Sequence, residues 1–172
     1  MQPRLAFSTN AYKRTDFASA ATDIAARGYK ALEVFADVPH LDPLAATESD
    51  IEKAKSHLKR LGLKISNVNA FTMYRWGDTW NPSFLDPDPQ KRKLRIDHTV
   101  AALHMAHKLG AATVSTEPAG ALPSGMTRKS AIACFADSLA EILERTDALD
   151  TLLLIEPEPG LLFEHAHQLD EL

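Results

Sequence analysis

Short runs of consecutive apolar residues alternate with stretches whose apolar positions recur every three to four residues, from Leu5 to the C-terminus. Runs of the first kind predict buried strands, and stretches of the second kind predict amphipathic helices. Residues 5–8 predict the first strand. Thr15 then caps a helix with Phe17, Ala21, Ile24 and Ala25 on one face and Gly28 as its stop. Residues 31–35 predict the second strand. Ser49 and Glu52 have the spacing of a capping box ahead of Ile51, Ala54, Leu58 and Leu61, and Gly62 ends that helix. Residues 63–68 predict the third strand. The connection over 70–88 is much longer than an ordinary strand-to-helix loop. Asp88 and Pro89 open a third helix that closes at Leu109 and Gly110. Residues 112–115 predict strand four, and a fourth helix aligns Ile132, Phe135, Leu139 and Ile142. Residues 152–155 are wholly aliphatic and predict a fully buried fifth strand, and the tail from Leu161 begins another helix.

Aliphatic strands alternating with amphipathic helices specify the α/β class, with a parallel sheet covered by helices. No G-x-G-x-x-G or P-loop follows the first strand, and residues 8–12 contain no glycine. A partial TIM barrel of about five βα units is therefore expected over an open nucleotide-binding sheet. No shift of composition marks a linker, so residues 1–172 read as one domain. The composition, 45% hydrophobic and 24% charged, excludes disordered, collagen-like and disulfide-scaffold classes. Nineteen Lys and Arg against 23 Asp and Glu give a net charge of -4. That balance argues against a nucleic-acid partner. Cys134 is the single cysteine, so no internal disulfide forms. The first residues carry no apolar signal segment, and no apolar run is long enough for a bilayer. A cytoplasmic location without a membrane partner is expected.

In βα barrels chemistry sits at the C-terminal ends of the strands. Strand one exits into Ser8, Thr9 and Asn10; strand two carries Glu33 and exits into Asp37 and His40. Strand three exits into Asn67, Asn69 and the long loop with Tyr74, Arg75, Trp76 and Trp80. Strand four exits into Ser115, Thr116 and Glu117. Glu156, after four aliphatic residues, is the sharpest candidate, as a metal ligand or general acid/base. Glu158 is placed to reach the same cavity, with less certain direction between two prolines. Trp76, Trp80 and Arg75 form an aromatic wall with one cation that suits a sugar or polyol, or else anchors the loop to the rim. Glu33, between Leu32 and Val34, reads as an ion pair with Arg4 or Lys30, which it needs if it points into the barrel, or as a solvated strand end. The helix-three histidines, His98, His104 and His107, read as solvated, and Cys134 reads as a small buried residue.

The segments Gly28-Tyr29-Lys30-Ala31-Leu32-Glu33-Val34, Leu61-Gly62-Leu63-Lys64-Ile65-Ser66 and Leu109-Gly110-Ala111-Ala112-Thr113-Val114 resemble the sugar phosphate isomerase/epimerase family of xylose-isomerase-like barrels. Ser115-Thr116-Glu117-Pro118-Ala119-Gly120 and Ile155-Glu156-Pro157-Glu158-Pro159-Gly160 resemble its fourth and fifth strand exits. The resemblance implies an eight-stranded barrel with one divalent metal, Mn²⁺, Mg²⁺ or Co²⁺. It maps one of four ligands here, Glu156, which it also makes catalytic in proton transfer beside a carbonyl through an ene-diolate. Glu158, Trp76, Trp80, Arg75 and Glu117 are the expected substrate contacts, for a small sugar or sugar phosphate. The later units of the barrel, with the other three ligands, are expected to be missing from residues 1–172. The chain alone is accordingly expected to self-associate, to bind metal weakly and to be inactive. The alternatives are an endonuclease-IV-like metallohydrolase and a non-catalytic binding or assembly module.

Overall fold

The computed structural model describes residues 5–172. Five parallel strands, β1 (Ala6–Ser8), β2 (Ala31–Phe35), β3 (Lys64–Asn69), β4 (Thr113–Thr116) and β5 (Leu152–Ile155), form one sheet in chain order. Four helices connect them: α1 (Phe17–Ala26), α2 (Glu48–Leu61), α3 (Pro89–Leu109) and α4 (Arg128–Thr146). Single 3-10 segments cover Thr9–Ala11 and Ala166–Glu171. This is a partial TIM barrel, as the alternation predicts. Among the described residues no helix is long and apolar enough to cross a membrane.

Two helix starts are displaced from their expected positions. Asp16, not Thr15, caps α1, accepting from the Ser19 N–H at 3.0 Å. At α2 the capping box is Thr47 with Asp50, each side chain accepting from the other's backbone N–H. Starting there places Glu48 and Asp50 in the first turn, where the partial positive charge of a helix N-terminus favours them. Asp88 and Pro89 open α3 as expected. Gly62 and Gly110 close α2 and α3 with φ of +67° and +79°, a conformation that costs glycine little.

The helix-facing side of the sheet carries Leu32, Val34, Val68 and Val114, all fully buried against Ile24, Leu103, Phe135 and Ile142. The opposite, concave side differs in character from a filled barrel interior. In β5, Leu153 and Ile155 pack toward the helices, whereas Leu152 is 67% and Leu154 44% exposed. The expected fully buried fifth strand is thus half-buried on its helix-facing side and exposed on the other. Its apolar sequence masks an alternation that the open concave side makes visible. The tail folds as a 3-10 segment rather than an α-helix. Strands β1 and β5 lie at the two edges of the sheet.

Candidate active site at the C-terminal ends of the strands

The register of the sheet determines which polar residues share the concave face. Ser8 pairs with Glu33, Glu33 with Asn67, Asn69 with Ser115, and Ser115 with Leu154. A β-bulge makes this possible. The β2–β3 register passes from Leu32↔Ile65 to Glu33↔Asn67, so Ser66 is the extra residue. In a regular strand Ile65 and Asn67 would share a face. The bulge sends Ile65 and Val68 to the helices and Asn67 to the concave side. Apolar residues three apart in a strand were the available sequence signal for it.

Glu156 continues β5, its N–H donating to the Thr116 carbonyl at 3.0 Å, and alternation puts its side chain on the Leu154 side. Partial burial raises its carboxyl above the usual carboxylate range, and the charges of Glu33 and Glu158 raise it further. Glu158 is half-buried, with its N–H bonded to the Phe163 carbonyl at 3.0 Å. Glu156, Glu158 and Glu33 therefore face one region. Among the described residues no group of three His, Cys, Asp or Glu converges closely enough to hold a cation. Glu156 by itself offers one ligand, and these residues do not form a closed metal site.

The other expected contacts are placed differently. Glu117 leaves β4 at the right level, yet it is 1% exposed and ion-paired with the fully buried Arg95 of α3. The pair holds the Glu117 charge inside the protein, whereas a substrate contact was expected of it. Arg95 also donates to Thr72 Oγ1 at 2.9 Å and the Ala70 carbonyl at 3.1 Å. Burial lowers the Arg95 guanidinium to about 9 against the pull of Asp37, which leaves it charged at neutral pH. Arg75 is bound to Asp42 and stacks on Trp76, with 5.5 Å to the ring centroid. Trp76 in turn sits edge-on to His98 at 5.5 Å, and Trp80 is half-buried with its backbone N–H donating to Asp78 Oδ1. Both tryptophans belong to the loop after β3, at the same end of the sheet as Glu156.

Asp37 explains how that loop is held. Fully buried, it accepts from the backbone N–H groups of Val38, Met73, Tyr74 and Arg75, at 2.7, 2.6, 2.8 and 3.1 Å. The loop is pinned by one carboxylate rather than resting on its aromatics alone. His98, expected to be solvated, is fully buried with Nε2 2.9 Å from the Ala36 carbonyl. His104 and His107 are exposed as expected, and Cys134 is only half-buried. Of the two partners expected for Glu33, Arg4 lies outside the described residues, and Asn67 of β3 is the hydrogen-bonded neighbour found.

Burial lowers His98 to about 3, and the charge of Arg95 adds to this. An unfolded imidazole takes a proton near pH 6.5, which the native one refuses, so stability is full above that value and falls as the pH drops. A shift of this size predicts a loss of about 2 kcal/mol between pH 7 and pH 5. Urea unfolding of wild type and His98→Asn across that range should show a clearly shallower decline for the variant. Parallel declines would assign the acid sensitivity elsewhere.

Comparison with known proteins matches this architecture. The profile of the xylose isomerase-like TIM barrel family covers residues 21–172, and the chain belongs to that family. No curated protein matches it in sequence. Among solved structures it is similar to a D-tagatose 3-epimerase-like protein, with TM-score 0.74 and 16% identity over 92% of this chain and 55% of that one. It is similar also to an IolI protein with a bound zinc atom, with TM-score 0.72 and 13% identity over 98% and 57%. A family 2 AP endonuclease from Brucella melitensis gives TM-score 0.68 and 19% identity over 97% and 62%. At these identities the likeness establishes the fold. The chain spans between half and two-thirds of the length of these three proteins.

Proposed function

We propose that residues 1–172 supply the first five strands of a metal-dependent sugar or sugar-phosphate isomerase or epimerase. The reaction moves a proton beside a carbonyl through an ene-diolate. The observation that carries this is Glu156, delivered to the strand ends with its carboxyl raised by burial and by two neighbouring carboxylates. A carboxyl raised in this way holds its proton more firmly than a free one, the direction that suits a general acid/base. Glu156 is the catalytic residue and the chain's metal ligand in this reading. A divalent cation, Mn²⁺, Mg²⁺ or Co²⁺, polarises the carbonyl when bound. Glu158 contacts the substrate, and Trp76 and Trp80 wall the site, whereas Arg75 acts through its hold on Asp42. The net charge of -4 supports a small-molecule substrate over DNA.

The test is exchange of the carbon-bound proton next to the carbonyl of ketohexoses with solvent deuterium, followed by NMR on the full-length protein with added Mn²⁺. Glu156→Gln should reduce exchange about a thousandfold. The same variant should melt no lower than wild type, because it removes a charge that Glu33 and Glu158 repel. No exchange by wild type with any ketose or ketose phosphate would refute the isomerase assignment.

A further inference from the structure

Beside Glu156, a hydrogen-bonded polar row crosses the concave face of the sheet. Asn67 Nδ2 donates to Glu33 Oε2 at 2.9 Å and to Ser115 Oγ at 2.8 Å, and Asn67 Oδ1 accepts from Thr113 Oγ1 at 2.8 Å. Both hydrogens of the amide are thereby used, so its orientation is fixed. The Glu33 carboxylate is held through one oxygen, and the other has no hydrogen-bond partner among the described residues. Barrel interiors at this level are ordinarily filled by branched apolar side chains. Here β2, β3 and β4 present Glu33, Asn67 and Ser115 instead, and a β-bulge at Ser66 is used to bring Asn67 into the row. Next to the row in register, Leu154 lies opposite Ser115 on the same face and offers an apolar wall. Glu33 is also close enough to Glu156 for the two charges to repel.

A fixed acceptor carboxylate beside an aliphatic side chain on the same face suits a ligand with hydroxyls on one side and C–H bonds on the other. We infer that Glu33, held by Asn67, binds a hydroxyl of a polyhydroxy ligand remote from the reacting carbon, and so determines which carbon is presented to Glu156. This rests on the isomerase reading. Glu33 is the specificity-determining residue and Asn67 positions it. An ionised carboxylate accepts a strong hydrogen bond from a hydroxyl, and a site built for that bond discriminates against an analogue lacking it.

Calorimetric titration of the full-length protein with D-fructose and its singly deoxygenated analogues tests this. Wild type should bind one analogue at least tenfold more weakly than D-fructose. Glu33→Gln should bind D-fructose about tenfold more weakly than wild type and no longer distinguish it from that analogue, with an unchanged melting temperature. Asn67→Ala should blunt the same discrimination. A merely structural role for Glu33 would lower the melting temperature and leave the discrimination in place. If Glu33→Gln does not fold, the wild-type and Asn67→Ala series decides: discrimination unchanged by Asn67→Ala overturns the inference. Retained discrimination in Glu33→Gln overturns it while the isomerase reading stands. No D-fructose binding by wild type overturns the inference, and the proton-exchange experiment then decides the isomerase reading on its own.

Discussion

Arg95→Ala is expected to destabilise the protein by about 3–5 kcal/mol, the range for removing one partner of a buried ion pair. Arg95 is fully buried and ties two segments of chain to α3: Glu117 after β4, and Thr72 with the Ala70 carbonyl after β3. Alanine would leave the Glu117 carboxylate buried without its cation, and Glu117 already has one oxygen without a hydrogen-bond partner. Equilibrium urea unfolding measures the loss. The double variant Arg95→Ala with Glu117→Ala should be less destabilised than Arg95→Ala alone, because no buried charge is then orphaned. If the double variant is worse than the single, the cost lies in lost packing against Phe84, whose ring lies 5.5 Å below the guanidinium.

Asp37→Asn is expected to cost about 3 kcal/mol and to loosen the 70–88 loop while the sheet remains folded. The substitution preserves shape, yet an amide presents one acceptor and one donor where two carboxylate oxygens now meet four N–H groups. At least one loop N–H would face another donor at a fully buried side chain. Tryptophan emission reports the effect directly, since Trp76 and Trp80 lie on that loop. The expected result is a red shift under native conditions, with the far-ultraviolet circular dichroism unchanged. An unshifted spectrum would mean that Arg75 on Asp42 and Trp76 on His98 suffice to seat the loop.

These two anchors show why the sequence was informative about elements and much less so about the site. Strand β5 was legible to the residue, because four consecutive aliphatic residues bounded by polar ones admit little else. Helix α3 was legible at both ends, because Asp88-Pro89 and Gly110 act on the backbone next to them. The position of Glu156 at the strand ends followed from the same local rules. Arg95 and His98 were not legible in this way. Both lie on a long helix whose pattern shows charged and imidazole side chains at spacings that fit a solvated face, and both are fully buried. Burial there is decided by what packs against the helix, which is the loop after β3 and the loop after β4.

The residues by themselves determined the order of strands and helices, the parallel α/β architecture and the end of the sheet at which Glu156 lies. These follow from periodicity and caps, which act over a few residues. The tertiary structure alone decided which carboxylates are available. Glu117 and Glu156 stand at equivalent strand exits, but Arg95 neutralises the first inside the protein and leaves the second facing Glu33 and Glu158. It also decided the direction of Asn67, through one extra residue in β3 relative to β2. Charge pairing and strand register depend on neighbours distant in the chain, and those neighbours exist only once the sheet has formed.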